Sequence, residues 1–205
     1  MSRGVRVTGG ALRGRLLAVG THVRPTEGRV REALFSIWQE RVVDAQVLDL
    51  FAGSGAVGIE AVSRGAGGVL FVEQAPAVVR LLEENCKMLE KGRWRLRRAS
   101  LPGGLRSLAQ HPDYRFDLIF ADPPYAFDEY LRLLELASPL LRAGGELVVE
   151  HSARVDLAAA AGELRQNDTR RYGESTLTFY RSADDAKVPE PSASEEESDF
   201  LEVDP

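Results

Sequence analysis

A run of twelve residues, from Val47 to Gly58, constrains the fold of this chain more than any other stretch. It begins as an apolar segment that carries a single acid, Asp49, and continues through a glycine turn toward a helix-like segment. A buried strand that passes through such a turn into a helix is typical of a doubly wound α/β sheet. Ligands of these sheets bind beyond the carboxyl ends of the strands, and an acid in an apolar strand needs a partner. We therefore predict ligand contacts from Asp49, Phe51, Ala52, Gly53, Ser54 and Gly55.

The glycines alone leave the identity of this ligand open. Gly53, Gly55 and Gly58 fit the G-x-G-x-x-G pattern of dinucleotide-binding turns, although a glycine-rich turn without a ligand remains an alternative. Glu73 lies 20 residues after Gly53 and ends the next apolar segment, where its carboxylate could accept ribose hydroxyls. We place Glu73 and the following Gln74 in the cofactor site, with a solvated or helix-capping Glu73 as the alternative. A nicotinamide dinucleotide and S-adenosylmethionine both fit this pattern.

A second motif follows another buried strand. The apolar segment Phe116–Ala121 leads directly into Asp122, Pro123, Pro124 and Tyr125. Two prolines stiffen the segment and remove two backbone donors, so the Asp122 carboxylate and the Pro123 carbonyl form a rigid pair of acceptors. Such a pair suits an exocyclic amine, whose two N–H groups it accepts while the nitrogen lone pair points at a methyl donor. Tyr125 can stack on an extruded base.

This second motif favours methyl transfer over hydride transfer. A dehydrogenase has no evident need for an acceptor cluster of this kind, whereas amine methylation depends mainly on positioning and electrostatics. A rigid loop without catalytic function is the alternative for the tetrapeptide taken alone. We therefore predict S-adenosylmethionine as the cofactor and assign catalysis to Asp122, Pro123, Pro124 and Tyr125. No Cys/His cluster has metal-ligand spacing, so we expect no metal.

Charge is segregated along the chain. The net charge is −5, but residues 182–205 hold nine acids and one lysine, which leaves the other residues with a net charge of +3. Residues 1–31 hold seven arginines against one acid. Arginine forks phosphate groups and stacks on bases, so this end indicates a nucleic-acid partner, with a solvated basic surface as the alternative. The predicted RNA contacts are Arg3, Arg6, Arg13, Arg15, Arg24, Arg29 and Arg31.

The domain organisation follows from these patterns. We predict a basic N-terminal β-hairpin arm at 1–24, one α/β domain at 25–181 and a disordered acidic tail at 182–205. The domain is expected to be a Rossmann-like, doubly wound, seven-stranded and mostly parallel sheet that ends in an antiparallel hairpin. Helices are predicted over 28–42 and 127–141, and His151 is placed in a loop. No apolar run approaches 18 residues, so we expect no membrane span. A cytoplasmic monomer is expected, with the single cysteine, Cys86, in the core.

Taken together, the motifs resemble those of a known family. The stretch from Asp49, Glu73 and the tetrapeptide from Asp122 resemble motifs I, II and IV of class I S-adenosylmethionine-dependent amino-methyltransferases. The opening is similar to the bacterial 16S ribosomal RNA guanine-N2 methyltransferase family of RsmD type. The segments that carry this likeness are RVTGG from Arg6, RGR from Arg13, RPT from Arg24 and RVREALF from Arg29.

The resemblance covers about residues 3 to 181 and implies methylation of the N2 amine of a guanine in 16S rRNA. The substrate it implies is a 30S subunit or an assembly intermediate. Where the family usually has Asp or Asn for the adenine contact, this chain has Ser100, so the contact falls to Ser100 or to the backbone of Ala99 and Leu101. An adenine-N6 methyltransferase acting on DNA or RNA, and a non-catalytic RNA-binding or assembly module, are the alternatives.

Overall fold

The computed structural model describes residues 4–20 and 26–182. The predicted RNA contacts Arg3 and Arg24, and the predicted acidic tail from residue 183 onward, lie outside the described residues. Ser182, the first residue assigned to that tail, instead ends the last strand of the sheet.

The described chain forms a two-stranded hairpin, one large sheet and five α-helices. The strands are β1 (Val5–Arg6), β2 (Leu16–Leu17), β3 (Gln46–Leu50), β4 (Gly68–Glu73), β5 (Trp94–Arg98), β6 (Phe116–Ala121), β7 (Leu141–Ser152), β8 (Ala160–Ala161), β9 (Leu164–Tyr172) and β10 (Ser175–Ser182). The α-helices are α1 (Thr26–Trp38), α2 (Ala56–Ser63), α3 (Pro76–Cys86), α4 (Leu105–Ala109) and α5 (Tyr130–Ala137).

The large sheet has the order β5-β4-β3-β6-β7-β10-β9-β8. Strands β5, β4, β3, β6 and β7 are parallel, and β10, β9 and β8 continue the sheet in antiparallel pairs. This confirms the predicted α/β fold with a C-terminal antiparallel hairpin. The seven predicted strands are present, and the two-residue β8 adds an eighth at the edge.

Helices cover both faces of the sheet. One core cluster packs α1, α2 and α3 against one face, and a second packs α4 and α5 against the other. Because β3 and β6 lie between these layers, both of their faces are buried, which explains why their sequences are continuous apolar runs. Cys86 lies in the first cluster as predicted, and burial raises the pKa of its thiol to about 12.

Two predicted element boundaries are wrong. The helix predicted over 127–141 is confined to α5 and a short 3-10 helix, Ser138–Leu140, where Pro139 supplies no backbone donor. Residues 141–145 then open β7 instead of ending a helix. His151, predicted in a loop, is a buried residue of β7 whose Nε2 lies 2.8 Å from Thr178 Oγ1. Burial lowers the pKa of His151, so the ring stays neutral at pH 7.

The predicted N-terminal hairpin is present and packs firmly on the helices. Val7 and Leu17 belong to the first core cluster. The Ala18 N–H donates to Asn85 Oδ1 at 2.9 Å, and Asn85 Nδ2 donates to the Ala18 carbonyl at 2.8 Å. Thr8 bonds to Glu60 of α2 through its backbone N–H and its hydroxyl. These contacts hold the hairpin against α2 and α3. Within the described part of the chain, no helix is long and apolar enough to cross a membrane.

Candidate active site

Strand pairing brings the predicted site residues together at one edge of the sheet. Asp49 lies in β3, Glu73 ends β4, and Asp122 follows β6. Leu50 pairs with Val72 on one side and with Ala121 on the other, so the three strands end at nearly the same level. This carboxyl edge is where doubly wound sheets bind ligands.

The three glycines of the turn have different functions. Gly53 and Gly55 adopt left-handed backbone conformations, with φ of 54° and 78°. A Cβ on Gly53 would meet only the Phe51 carbonyl, at 3.8 Å, so this residue is open toward the cavity. A Cβ on Gly55 would lie 2.3 Å from Leu82, and one on Gly58 would lie 2.3 Å from Phe71. Gly55 and Gly58 therefore permit close packing of the helices against the sheet.

Two cavities open at this edge. The α1 cavity, about 430 Å³ in volume, has Asp49, Gly53 and Ser54 in its lining. The Glu73 cavity, about 250 Å³, lies on the β4 side and includes Gln74. Phe51 and Asp122 line both. The larger volume falls within the ordinary range of small-molecule sites. Of the predicted cofactor residues, Ala52 also lines the α1 cavity, whereas the described linings of both cavities leave out Gly55.

Phe51 stands between the two cavities in a strained backbone conformation. Its φ is 57°, a value that costs a non-glycine residue about 1–3 kcal/mol and persists only when the surrounding structure imposes it. The ring meets Phe127 edge to face, with centroids 5.3 Å apart, and Phe127 meets Tyr130 in the same way at 5.1 Å. This aromatic row supports the wall shared by the two cavities.

Asp49 is buried and faces the α1 cavity. Its Oδ2 accepts the Gly58 N–H at 2.9 Å. Burial raises the pKa of Asp49 to about 7; the Gly58 hydrogen bond opposes this shift, and the Glu73 carboxylate adds to it. The side chain therefore changes charge near neutral pH, and a charged ligand in the cavity would shift its protonation equilibrium.

Glu73 is held by backbone donors at the glycine turn. Its Oε2 accepts the Gly53 N–H at 3.1 Å, while Oε1 accepts the N–H groups of Gln74 at 2.8 Å and Ala75 at 2.9 Å. A carboxylate has about four acceptor positions, so capacity remains for a ligand hydroxyl. The bonds orient the carboxylate at the Glu73 cavity, which supports its predicted contact with ribose.

Residues 122–125 form a rigid segment where the two cavities meet, and this segment is called the Asp122 ledge. The Asp122 N–H donates to the Leu50 carbonyl at 3.4 Å, and the Phe127 N–H donates to the Pro124 carbonyl at 2.8 Å. Pro123 is buried, whereas the side chain of Tyr125, which follows Pro124 in the chain, is 65% exposed. Pro124 lines the Glu73 cavity. The ledge thus places one carboxylate against both cavities and an aromatic ring at the surface.

For the predicted adenine contact, the structure favours Ala99 and Leu101 over Ser100. Ala99 and Leu101 line the Glu73 cavity. Ser100 is exposed, and its carbonyl accepts the Gly104 N–H at 2.8 Å. Among the positions considered from the sequence, Ala99 and Leu101 are therefore the better placed.

The structure places one predicted RNA contact, Arg31, in the interior instead of on the surface. Arg31 is only 5% exposed, its Nε lies 2.7 Å from Glu60 Oε2, and its Nη2 donates to the Arg6 carbonyl at 2.7 Å. The side chain turns inward because Glu60, which is fully buried, requires cationic partners. Arg31 lines the α1 cavity and is therefore part of the interior site. Exposed side chains are found at Arg6, Arg13, Arg15 and Arg29.

The sequence motifs did not identify Glu150, a half-buried residue of β7 that lines the α1 cavity. An acid near the end of an apolar strand is the same pattern that identified Glu73. The described lining of this cavity thus contains three carboxylates, Asp49, Asp122 and Glu150, against the single guanidinium of Arg31. This balance suits a ligand with positive charge. No group of three His, Cys, Asp or Glu side chains is arranged to hold a metal ion within the described residues.

The fold and this site define a class I S-adenosylmethionine-dependent methyltransferase, whose cofactor carries the positive charge that the α1 cavity suits. The chain is similar to a solved structure, "Putative methyltransferase yhhF from Escherichia coli", with a TM-score of 0.76 and 31% identity over 88% of this chain and 98% of that one. The chain belongs to the family described as Conserved hypothetical protein 95, whose model matches residues 5–181.

Several relatives are similar in sequence, among them proteins of Bacillus subtilis and Escherichia coli. The chain is 33% identical to "Putative rRNA methyltransferase YlbH" of Bacillus subtilis, over 86% of this chain and 98% of that protein. It is 40% identical to "Ribosomal RNA small subunit methyltransferase D" of Escherichia coli, over 64% of this chain and 67% of that protein. These relationships confirm the resemblance to the RsmD-type family that the sequence motifs indicated.

The raised pKa of Asp49 predicts that cofactor affinity depends on pH. Below about pH 7 the buried carboxyl is protonated, and above it the carboxylate attracts the positively charged cofactor. The dissociation constant for S-adenosylmethionine should therefore fall as pH rises from about 5.5 to about 7, by at most about tenfold per pH unit. Calorimetric titration across this range measures the effect.

Two variants control for other titrating groups. Asp49→Asn should bind more weakly and with little pH dependence, whereas Asp44→Asn, which changes an exposed acid before the same strand, should follow the wild-type curve. A pH slope that persists in Asp49→Asn would show that another group is responsible.

Proposed function

We propose that this protein transfers a methyl group from S-adenosylmethionine to the exocyclic N2 amine of a guanine in 16S rRNA of the small ribosomal subunit. The observation that carries the proposal is the position of Asp122, on a proline-stiffened ledge at the junction of the α1 cavity and the Glu73 cavity. The name of the Escherichia coli relative, a small-subunit rRNA methyltransferase, supports the substrate class. We propose that the protein acts as a cytoplasmic monomer and that its substrate is a 30S particle or an assembly intermediate.

In this proposal the Asp122 ledge positions the reacting amine. When bound, the cofactor supplies an electrophilic methyl group on a sulfonium. The Asp122 carboxylate and the Pro123 carbonyl accept the two N–H bonds of the amine, which turns the nitrogen lone pair toward that methyl group. A nitrogen–carbon bond forms as the carbon–sulfur bond breaks, and the nitrogen then releases a proton to solvent. Because the leaving sulfur becomes neutral, orientation and electrostatics supply most of the catalysis.

Tyr125 is proposed to hold the target base. Enzymes that modify a base in structured nucleic acid extrude it and stack it against aromatic side chains. The exposed ring of Tyr125 lies three residues after Asp122 and directly after Pro124, which lines the Glu73 cavity, so it can meet an incoming base. Its stacking would fix the plane of the guanine relative to the acceptors of the ledge.

The exposed arginines of the hairpin are proposed to bind the RNA backbone, and this predicts a change in salt dependence. Replacing Arg13 and Arg15 with alanine should weaken binding to 30S subunits at low salt. It should also reduce the magnitude of the slope of log affinity against log salt concentration by about 1.4–1.8. Each phosphate that is no longer contacted keeps about 0.7–0.9 counterion, which binding then does not release. Filter binding at several salt concentrations measures the slope.

The matched control is the double variant Arg95→Ala with Arg142→Ala. These two arginines are also exposed, but they line a cavity formed by residues of the sheet and its loops and lie outside the hairpin. Their loss should leave the slope near the wild-type value. An unchanged slope in the Arg13 and Arg15 variant would instead reduce the hairpin to a solvated basic surface.

The proposed reaction is tested by offering several acceptors with labelled S-adenosylmethionine. Purified protein is incubated with 30S subunits, 23S rRNA and DNA, and the methylated nucleoside is identified by mass spectrometry. Label in N2-methylguanosine from 30S subunits is the expected result. Label in N6-methyladenine would instead identify the adenine-N6 enzyme, and cofactor binding without transfer to any acceptor would favour an RNA-binding or assembly module.

A further inference from the structure

Arg31 is the one cation among the described residues that line the α1 cavity. Three carboxylates line the same cavity, at Asp49, Asp122 and Glu150. The sulfonium and the ammonium group of S-adenosylmethionine suit these acids, but its own carboxylate does not. A carboxylate close to others is disfavoured unless an opposite charge accompanies it. The negative end of the cofactor therefore needs a partner that the acids of this cavity do not provide.

The two cavities indicate which end of the cofactor reaches Arg31. The predicted ribose and adenine contacts, Glu73, Ala99 and Leu101, line the Glu73 cavity. The α1 cavity shares the Phe51 wall with it and is the larger of the two, at about 430 Å³ against about 250 Å³. With the adenosine in the Glu73 cavity, the amino-acid end of the cofactor falls to the α1 cavity, where Arg31 lies.

The Arg31 guanidinium keeps a positive charge for a ligand although it is paired. Its Nε donates to Glu60 Oε2 at 2.7 Å, and its Nη2 donates to the Arg6 carbonyl at 2.7 Å. Arg64 Nη2 donates to the same Glu60 carboxylate at 2.7 Å. Two guanidiniums thus share one carboxylate, so this cluster retains a net positive charge. A guanidinium has five N–H donors, and the two bonds of Arg31 fix its orientation while using only two of them.

Of the two arginines bound to Glu60, Arg31 is the one that faces the cavity. Arg64 lies over the Phe35 ring, with its Cζ 4.8 Å from the ring centroid, and the described lining of the cavity leaves it out. An arginine held in one orientation can bind a carboxylate through two parallel N–H bonds. We propose that Arg31 binds the α-carboxylate of S-adenosylmethionine and thereby selects it over ligands that carry the same sulfonium without a carboxylate.

The test compares two ligands that differ only in this carboxylate. Decarboxylated S-adenosylmethionine keeps the adenosine, the sulfonium and the amine. Calorimetric titration at pH 8, without RNA, gives the dissociation constant of each ligand. The wild type should bind S-adenosylmethionine about 10- to 100-fold more tightly, the value of a hydrogen bond to a charged group. Equal affinity of the wild type for the two ligands would overturn the proposal, whether or not any variant folds.

Variants of the two arginines locate the preference. Arg31→Met should weaken binding of S-adenosylmethionine alone and bring the ratio of the two dissociation constants close to one. Since Arg31→Met also takes a partner from the buried Glu60, the double variant Arg31→Met with Glu60→Leu repeats the measurement without either charge. Arg64→Met is the matched control, because it removes the other arginine bound to Glu60 and should retain the preference. Melting temperatures show that each variant is folded.

The possible results separate a cofactor contact from a structural role. An equal loss of affinity for both ligands in the Arg31 variants would make Arg31 a support of the cavity wall and overturn the contact. Loss of the preference in Arg64→Met to the same extent as in Arg31→Met would also overturn it, and would assign the effect to the net charge of the cluster. Because no RNA is present, these results are independent of whether a guanine of 16S rRNA is the methyl acceptor.

Discussion

Replacement of Asp122 by alanine should lower the rate of methyl transfer by about 10²–10³-fold, the usual effect of removing one preorganised polar group that acts on the reacting atoms. The carboxylate lines both cavities on a segment stiffened by two prolines, so no other side chain is expected to take its position. Affinity for S-adenosylmethionine should be largely unchanged, because Asp122 is proposed to hold the amine. Single-turnover rates on 30S subunits with saturating cofactor, together with calorimetric cofactor titration, measure both quantities.

Two further variants show whether the acceptor itself is responsible. Asp122→Asn retains one acceptor oxygen, which can still bind one N–H of the amine, so its rate should fall between those of the wild type and the alanine variant. Asp113→Ala removes an exposed acid in a loop at the opposite edge of the sheet and should leave the rate intact. Near-normal turnover in Asp122→Ala would refute the catalytic assignment.

The parallel strands of the sheet could be predicted because strands that are buried on both faces have continuous apolar sequences. Strand β6 has the bounds that its apolar run indicated, and β4 ends at Glu73 as predicted. The start of β7 could not be predicted in this way. Gly144 has a φ of 74°, and the register with β6 shifts between Phe116 and Leu118, so the strand passes through an irregularity. In the sequence the same Gly144 and Gly145 suggest the end of a helix, because glycine suits both structures.

The carboxyl-edge site could be predicted in outline because its residues lie within short motifs at the ends of strands. The position of Arg31 could not. It lies between exposed and buried positions of α1, and its partner Glu60 is 29 residues away in the chain, so local periodicity does not reveal the ion pair. The glycines were similarly ambiguous, since only the packed structure shows that Gly55 faces Leu82 while Gly53 faces the cavity.

The buried ion-pair network around Glu60 should have the largest effect on stability. Glu60 is fully buried and accepts hydrogen bonds from Thr8, Arg31 Nε at 2.7 Å and Arg64 Nη2 at 2.7 Å. Although burial opposes ionisation, these bonds outweigh it and lower the pKa of the carboxyl. Glu60→Ala would leave the buried Arg31 guanidinium without its counter-charge and should reduce the free energy of unfolding by about 3–5 kcal/mol.

The pH dependence gives a second measurement of the same network. Because the folded-state pKa of Glu60 is lowered, its charge stabilises the fold above the unfolded-state pKa, and this contribution is lost as pH falls through the folded-state pKa. Urea unfolding at neutral and acidic pH should therefore show the difference between wild type and Glu60→Ala shrinking in acid. A difference that grows in acid would contradict the assignment.

Matched variants separate the lost ion pair from a general effect of removing an acid. Glu84→Ala breaks an exposed pair with Lys87, in which the glutamate is 64% exposed, and should change stability by no more than about 1 kcal/mol. Arg31→Met combined with Glu60→Leu removes both buried charges and should recover much of the stability lost in Glu60→Ala, because neither partner is left unpaired. Arg64, which is 27% exposed, can then turn to solvent. If the double variant is as unstable as Glu60→Ala, the loss comes from the bonds that anchor Thr8 and the hairpin, and the unpaired charge of Arg31 is not its cause.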